Sequence, residues 1–189
     1  MQVFLETERV WLRPFTRADL DNLYELDSDP EVMRFITGGI PTPRDVIRDR
    51  TLPRFLRPDA RFAGYDFWAA IERSTGRFLG WFEFRPRQPD GTDEVELGYR
   101  LRRDAWGQGY ATEVARALID TGFRELGVRR VVASTAAENR ASRRVMEKAG
   151  MTLVRAYRQV WPGLYQDEPQ DDVEYALHRA DWEQLHQPA

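Results

Sequence analysis

The period of the hydrophobic positions changes in the middle of the chain. Across Glu94–Leu101 every second residue is apolar or aromatic, which predicts a half-buried strand. The apolar face of this strand consists of Val95, Leu97, Tyr99 and Leu101. Apolar and small residues then recur at helical spacing across Ala111–Leu126, and Gly127 is expected to end this helix. Two glycines, Gly107 and Gly109, lie in the turn between the strand and the helix.

Strand and helix patterns also alternate through the rest of the chain. Further strands are expected at Val3–Pro14, Phe67–Ile71, Phe78–Phe84, Arg130–Thr135, Met151–Trp161 and Val173–His178. Further helical segments are expected from Thr16 to Asp27, at Glu31–Ile36, from Pro43 to Phe55, at Ala141–Ala149 and at Ala180–Leu185. Expected loops are a hairpin at Glu72–Arg77, a polar turn at Pro86–Thr92 and an acidic loop at Pro162–Asp172.

This order of elements predicts the fold class. It indicates an α+β fold with a mixed, mostly antiparallel central sheet flanked by helices, in a single domain over residues 1–189. The first helix has its own start signal, because Thr16 is a suitable N-cap and Asp19 completes a capping-box spacing.

Composition narrows the class of protein. The chain of 189 residues, 42% hydrophobic and 31% charged, is typical of a globular domain, and it has no apolar run near the roughly 20 residues of a membrane helix. Its start, Met1–Glu6, does not resemble a signal peptide. The lack of cysteine excludes disulfides and a cysteine nucleophile, and with two histidines no metal site is expected. We expect a cytoplasmic protein, and the net charge of −3 argues against nucleic-acid binding.

The glycine turn before the long helix has the features of an anion-binding site. The N–H groups of a first helical turn are unpaired, and the positive end of the helix dipole lies behind them. Taken alone, a turn of this kind is also compatible with an ordinary tight connection. A dinucleotide site would need a third glycine and an acidic residue after a second strand, and a P-loop would need Gly-Lys-Ser/Thr; the sequence has neither pattern.

A second motif, Asn139–Gly150, follows a predicted buried strand. Together, Trp106–Glu113 and the pattern Asn139-x-x-Ser142-x-x-Val145-x-Glu147-Lys148-x-Gly150 resemble the GNAT superfamily of acetyl-CoA-dependent N-acetyltransferases, and most closely its RimJ/RimL branch. The opening stretch, Glu6–Pro14, is also typical of that branch, so the resemblance covers nearly the whole chain. Two separated motifs in the right order are more specific than either motif alone.

The resemblance implies a GNAT-like fold and acetyl-CoA as cosubstrate. The pyrophosphate would bind the backbone N–H groups of a cradle formed by Gly107, Gln108, Gly109, Ala111 and Thr112. The central strand would bind the pantetheine arm through its backbone, with an N–H at or just before Leu101 beside the thioester carbonyl. Asn139 would hydrogen-bond the pantetheine, although residue preference also indicates an N-cap. Trp106 stands where the family usually has arginine or glutamine, which leaves the role of its side chain open.

Amide formation from a thioester needs a base for the amine, donors for the oxyanion and a way to release the thiolate. Glu96 is the first choice for the base, because its side chain points away from the apolar face and the family often has a glutamate there. Glu83 is the second choice, and either residue can be an ordinary solvated strand carboxylate. Many family members protonate the thiolate with a tyrosine at the position of Met146, which has no proton to donate. We expect Ser142, as in RimL-like members, or solvent to replace it.

The acceptor is expected to be a primary amine, and its further identity is not indicated by the sequence. Acceptor choice is expected to lie in the loops Ile36–Thr42, Pro58–Asp66 and Gln159–Asp172. Aromatic residues in the last two suggest a wall of Tyr65, Trp161 and Tyr165. The nearby acidic residues can attract a cationic amine, although a mobile acidic loop is the commoner explanation of such a run; they are Asp167, Glu168, Asp171 and Asp172. Four cations are expected to flank the donor, and at most one or two of them would contact its phosphates. They are Arg140, Arg143, Arg144 and Lys148.

Three functions are compatible with these observations. The first is direct acetyl transfer from acetyl-CoA to an amine in a ternary complex, since no covalent nucleophile stands out. The second is a non-catalytic acyl-CoA-binding module, and the third is another enzyme with a phosphate-bearing ligand, such as a nucleotide. Expected partners are therefore coenzyme A and an amine, without nucleic acid or membrane. The resemblance also allows a homodimer, although no stretch indicates an interface.

Overall fold

The computed structural model describes residues 2–57, 64–88, 91–160 and 169–186. Its strands are β1 (Leu5–Glu6), β2 (Val10–Pro14), β3 (Asp66–Glu72), β4 (Phe78–Gln88), β5 (Gly91–Leu101), β6 (Arg130–Ala136), β7 (Thr152–Val160) and β8 (Pro169–His178). Its helices are α1 (Leu20–Ser28), α2 (Pro30–Thr37), α3 (Arg44–Val46), α4 (Leu52–Phe55), α5 (Tyr110–Arg124), α6 (Arg140–Lys148) and α7 (Arg179–Leu185). A π-helical turn joins α3 to α4, at Ile47–Thr51.

The strands form one sheet in the order β1-β2-β3-β4-β5-β6-β8-β7. Neighbouring strands are antiparallel except for β5 and β6, which are parallel. Parallel neighbours need a long crossover, and here that crossover contains α5. The predicted α+β class, with a mixed and mostly antiparallel sheet flanked by helices, is confirmed.

Helices cover the sheet in two apolar layers. One layer packs α5, α6 and α7 against the apolar face of β5, where Val95 and Leu97 are buried as predicted. Gly122 lets α5 lie close to the sheet, because an added Cβ would be only 2.6 Å from Phe84. The other layer packs α1, α2 and α4 against β3, including Phe67. In the described part of the chain, none of the helices has the length and apolar character needed to span a bilayer.

The predicted single strand Val3–Pro14 is wrong, because β1 and β2 form a hairpin in which Leu5 lies opposite Leu12. Thr7 interrupts the strand, since its hydroxyl oxygen accepts from the Val10 N–H at 3.0 Å and its N–H donates to the Val10 carbonyl at 2.9 Å. A side chain that bonds to its own backbone competes with the extended ladder. The alternation of apolar residues in the sequence gives no sign of this local competition, so it predicted one continuous strand.

Two predicted loops are shorter than expected. The polar turn Pro86–Thr92 is wrong in extent, because β4 continues to Gln88, which lies opposite Gly91 in β5. The acidic loop Pro162–Asp172 is also too long, since β8 begins at Pro169; residues 161–168 lie outside the described residues. In both places the strands continue through polar residues, because the antiparallel ladder is made by backbone groups.

The predicted start of the first helix is confirmed. Thr16 and Asp19 form a reciprocal capping box at a 3₁₀ turn that leads into α1. The Asp19 carboxylate also accepts two hydrogen bonds from the Arg13 guanidinium, at 2.7 and 2.8 Å. At the other end of α1, the Asp29 side chain accepts from the Glu31 N–H and begins α2 directly. The Arg13–Asp19 contact fixes the start of α1 against β2.

Glu113 in the first turn of α5 connects the N-terminal hairpin to this helix. Its carboxylate accepts hydrogen bonds from the Thr7 hydroxyl at 2.7 Å, the Arg9 N–H at 2.9 Å and Arg9 Nε at 2.7 Å. Burial alone would raise the pKa of Glu113, but the hydrogen bonds from Thr7 and Arg9 and the charge of Arg9 lower it. The ionised carboxylate therefore stabilises the folded chain.

Replacing Glu113 with Gln is expected to lower the free energy of unfolding at pH 7 by about 1–3 kcal/mol, because charged hydrogen bonds are lost. Since the folded-state pKa of Glu113 is depressed, its contribution is present above the unfolded value of about 4.3 and is lost as pH falls through the folded value. Urea unfolding at several pH values measures this difference, which should vanish in strong acid. Glu125→Gln, an exposed change just after the same helix, is the control; an equal effect would contradict the assignment.

Candidate active site

The sheet opens between β5 and β6. Their parallel pairing comprises Glu94 with Arg130, Val95 with Val131 and Glu96 with Val132. Beyond these pairs β6 stays paired to β8 as far as Ala136, whereas residues 97–101 of β5 pair with β4 alone among the described residues. This part of β5 therefore presents backbone N–H and C=O groups to the gap. A gap between neighbouring strands also opens onto both faces of the sheet.

The glycine turn lies at the end of β5 and leads into α5. Gly107 and Gly109 have φ of 73° and 87°, in the left-handed region that favours glycine. Gly109 is the N-cap of α5 and provides no side-chain hydrogen bond, so the first-turn N–H groups have no side-chain cap among the described residues. The Gln108 side chain donates back to the Asp104 carbonyl at 2.7 Å, so it turns away from the backbone N–H groups of the turn. The geometry is that of an anion-binding turn.

Two side chains hold this turn in place. The Trp106 indole N–H donates to the Leu101 carbonyl at 2.9 Å. The sequence left the role of this side chain open, and the contact gives it a structural role. Arg9 donates to the Gln108 carbonyl at 2.9 Å, and its guanidinium lies 4.6 Å from the centre of the Tyr110 ring. Sequence reasoning did not identify the contact from Arg9 to the turn, although Arg9 lies in the opening stretch typical of the RimJ/RimL branch.

Asn139 caps α6, which confirms the N-cap reading. Its Oδ1 accepts from the Ser142 N–H at 3.1 Å, and its Nδ2 donates to the Thr135 hydroxyl at 3.1 Å. The Ser142 hydroxyl lies 2.9 Å from the hydroxyl of Tyr99 on β5. Met146 is 2% exposed within the apolar core, so it is a packing residue. The motif on α6 is thereby joined to the part of β5 that borders the gap.

The opposite face of the sheet carries the two candidate bases. Glu83 lies opposite Gly98, and Glu96 lies opposite Arg85, so all four positions share one face. Gly98 leaves room for Glu83, because an added Cβ would be 3.3 Å from its Oε2. Arg85 Nη1 is 3.4 Å from Glu83 Oε1, and Arg54 and Arg85 both lie over the Phe67 ring. Two carboxylates and two guanidiniums therefore meet here.

The pKa of Glu83 is raised by burial and by the negative charge of Glu96, and the guanidiniums of Arg85 and Arg54 offset only part of this effect. A carboxylate with a raised pKa is a better proton acceptor near neutral pH than an ordinary one. Glu96 is half-buried, and no hydrogen bond or ion pair of its carboxylate occurs within the described ranges. The two carboxylates thus form an interacting pair beside the gap.

Part of the predicted acceptor region is corrected. Tyr65 does not form an acceptor wall, because its ring is buried in the α5 layer and its hydroxyl donates to the Leu126 carbonyl at 2.8 Å. Asp172 is buried within β8, and Asp171 lies 3.6 Å from Arg158. Most of the loop after Arg57 lies outside the described residues, as do Trp161, Tyr165, Asp167 and Glu168.

The cations of α6 border an open groove of about 620 Å³. Its lining residues are Arg140, Arg143, Arg144, Glu147 and Lys148. Arg143 is engaged within the protein, where it donates to the Tyr175 hydroxyl and the Ala137 carbonyl. Unlike Arg143, the Arg140 and Arg144 guanidiniums make no hydrogen bond or ion pair with the described part of the chain.

Comparison with known proteins identifies the family of the chain. Residues 9–152 match the Acetyltransferase (GNAT) domain family. The chain is 32% identical to the FsC-acetyl coenzyme A-N(2)-transacetylase of Aspergillus fumigatus, over 100% of this chain and 81% of that protein. The crystal structure of a GNAT-family acetyltransferase from Bacillus anthracis has a TM-score of 0.78 and 26% identity, over 95% of this chain and 99% of that one.

A further structural neighbour, the ribosomal alpha-N-protein acetyltransferase RimL in complex with coenzyme A, has a TM-score of 0.76 over 94% of this chain and 98% of that one. Its identity of 20% shows a shared fold and no more. The neighbours nevertheless include proteins with coenzyme A bound, among them this one.

Replacing Glu83 with Gln is expected to stabilise the protein increasingly as pH rises. Because the folded-state pKa of Glu83 is raised, the folded chain keeps a proton that the unfolded chain releases above about pH 4.3, and the free energy of unfolding falls through that window. Gln removes this loss. The measurement is Tm of both proteins between pH 4 and pH 8, where the variant's advantage should grow. Glu138→Gln, an exposed change, is the control; an advantage that is flat or shrinks with pH would contradict the assignment.

Proposed function

The chain belongs to the GNAT acetyltransferase family and is an acetyl-CoA-dependent N-acetyltransferase, and we propose that it acetylates a primary amine by direct attack in a ternary complex. The observation that carries this proposal is the gap between β5 and β6, which adjoins the glycine turn and separates Ser142 from Glu96. Donor and acceptor can therefore approach the gap from opposite faces of the sheet. We also place the chain in the RimJ/RimL-like branch, on the strength of its opening stretch and its α6 motif.

The proposed donor site follows the gap and the turn. The pyrophosphate binds the backbone N–H groups of Gly107, Gln108, Gly109, Ala111 and Thr112. The pantetheine arm lies along residues 97–101 as an added strand, and an N–H at or just before Leu101 donates to the thioester carbonyl. Asn139 has one amide hydrogen beyond its bond to Thr135, and we assign that hydrogen to the pantetheine. Support comes from the unpaired edge of β5 and the uncapped start of α5.

The proposed acceptor site is the face of the sheet that carries Glu83 and Glu96. Glu96 accepts the proton that the amine loses as its nitrogen attacks the carbonyl carbon, directly or through a water. Glu83 is the alternative base, and its charge interacts with that of Glu96. The new C–N bond forms on this face as the C–S bond breaks toward the other. A protein N-terminus and a small-molecule amine both fit this chemistry.

On the donor side, we propose that Ser142 assists the departing thiolate. The Ser142 hydroxyl lies on the first turn of α6 and contacts Tyr99, which is on the face of β5 opposite to Glu96. We assign to it a hydrogen bond to the sulfur. The electron pair of the broken C–S bond stays on sulfur, which is finally protonated by Ser142 or by solvent. The buried Met146 cannot perform this step.

A non-catalytic acyl-CoA-binding module is the alternative function. It is favoured by the lack of a proton donor at Met146 and opposed by the pair of carboxylates at the gap, which binding alone does not require. Turnover on any amine would remove this alternative. Tight binding of acetyl-CoA without turnover across a broad amine panel would support it.

Replacing Gly109 with Ala is expected to raise the Kd for acetyl-CoA about tenfold or more, which corresponds to a loss of about 1.4 kcal/mol in binding free energy. A φ of 87° is unfavourable for alanine, and the added Cβ would lie 3.4 Å from Arg9 Nη2. Calorimetric titration measures the affinity, with ATP and NAD as controls that should not bind. Gly127→Ala, at φ 74° beyond the other end of α5 with open space around it, is the matched variant. Equal affinities in the two variants would place the pyrophosphate elsewhere.

Replacing Glu96 with Gln is expected to lower kcat/KM for the amine about a hundredfold or more, most strongly at low pH where the ammonium is hardest to deprotonate. The pH–rate profile, measured with the best acceptor of an amine screen, tests this expectation. An unchanged profile would count against Glu96 as the base. The same loss in Glu83→Gln, with little effect in Glu96→Gln, would transfer the role to Glu83.

A further inference from the structure

We propose that Tyr99 is a positioning residue for acetyl transfer, whose hydroxyl orients the Ser142 hydroxyl so that Ser142 donates a hydrogen bond to the departing sulfur of coenzyme A. This inference rests on the proposed function, because it takes Ser142 as the side chain beside the sulfur. Neither the sequence motifs nor the apolar alternation of β5 singled out this role for Tyr99, since its position on the buried face indicated a packing residue.

Two hydroxyl groups meet where β5 contacts α6. The Tyr99 hydroxyl oxygen lies 2.9 Å from Ser142 Oγ and 3.1 Å from the Ser142 carbonyl oxygen. The Ser142 N–H is held by Asn139 Oδ1 at 3.1 Å. The N–H, carbonyl and hydroxyl of Ser142 are thus all engaged by two neighbouring side chains. Such contacts fix the serine before a ligand arrives.

The tyrosine ring is itself firmly placed. Tyr99 lies opposite Phe82 in the β4–β5 ladder, and the centres of the two rings are 5.7 Å apart. It belongs to residues 97–101, the part of β5 that borders the gap, so the ring extends from the edge of the gap to the first turn of α6. A rigid side chain therefore connects the strand that would bind the pantetheine to the serine that would meet its sulfur.

The direction of the hydrogen bonds follows from proton affinity. Burial raises the pKa of Tyr99 to about 12, which the bond with Ser142 offsets only in part, so its hydroxyl remains a donor at working pH. Tyr99 has one hydroxyl proton, and we assign it to a three-centre bond shared by Ser142 Oγ at 2.9 Å and the Ser142 carbonyl oxygen at 3.1 Å. The serine proton is then directed to a third atom. A thiol of pKa about 8.5 is a stronger acid than either hydroxyl, so the thiolate is stabilised mainly by the hydrogen bond from Ser142. Of the two proton sources named above for the sulfur, Ser142 and solvent, this arrangement favours solvent.

The arrangement also explains how the chain functions without a hydroxyl at Met146. The Met146 side chain packs in the core at 2% exposure, and α6 presents Ser142 from its first turn. The phenol that supports this serine comes from β5. Donation from Tyr99 polarises the serine hydroxyl, because chains of hydrogen bonds strengthen one another by about 10–30% per bond.

The test measures the pKa of the thiol of bound coenzyme A, from the ultraviolet absorbance of the thiolate across pH. Compared with the wild-type complex, Ser142→Ala is expected to raise this pKa by about one unit, and Tyr99→Phe by about half as much. Tyr99→Phe should add nothing in the Ser142→Ala background, because it acts through the serine. With an amine acceptor, Tyr99→Phe should lower kcat severalfold and leave KM for the amine unchanged.

Tyr175→Phe is the matched control. This buried tyrosine also contacts α6 through its hydroxyl, which bonds to Glu147 at 2.8 Å and Arg143 at 3.1 Å. It should leave the thiol pKa unchanged. The inference would be overturned if Tyr175→Phe shifted the thiol pKa as much as Tyr99→Phe does, or if Tyr99→Phe did not shift it. It would also be overturned if the double variant shifted the thiol pKa further than Ser142→Ala alone. Failure of the wild-type protein to bind coenzyme A would instead overturn the proposed function.

Discussion

The structure depends on a pairing that stops early. The parallel ladder between β5 and β6 ends at Glu96 and Val132, while each strand stays paired on its other side. Backbone groups that lack a partner are costly unless water or a ligand satisfies them. The edge of β5 is therefore prepared to pair with an extended molecule, and a pantetheine arm has amide groups that can do so. The glycine turn lies just beyond the end of the same strand.

The two faces of the sheet divide the chemistry. On the α5 and α6 side, apolar packing holds Ser142 and Tyr99 in a rigid setting. On the other side the sheet carries charge, with Glu83 and Glu96 near each other and Arg100 paired to the buried Asp27 of α1. The raised pKa of Glu83 means that its ionised form opposes folding. A carboxylate retained at such a cost is typical of a functional site.

Much of this account was predictable from the sequence, because it depends on local patterns. The alternation in β5, the glycine turn, the α5 helix and the N-cap at Asn139 follow from residue spacing and preference. The hairpin at Thr7 was missed, since a single hydroxyl outweighs the strand pattern. The contacts of Arg9 with Gln108 and of Tyr99 with Ser142 join residues far apart in the chain. Such pairs depend on sheet order, which one sequence does not reveal.

Hydrogen–deuterium exchange with and without acetyl-CoA tests the central claim most directly. If the donor completes the open edge of β5, the backbone N–H groups of residues 97–101 and 107–112 should exchange more slowly in its presence. The paired segment of β6 and the distant hairpin of β7 and β8 should be unaffected. Protection at both predicted segments would place the donor in the gap and at the turn. Binding without protection there, or with protection confined to other elements, would contradict the account.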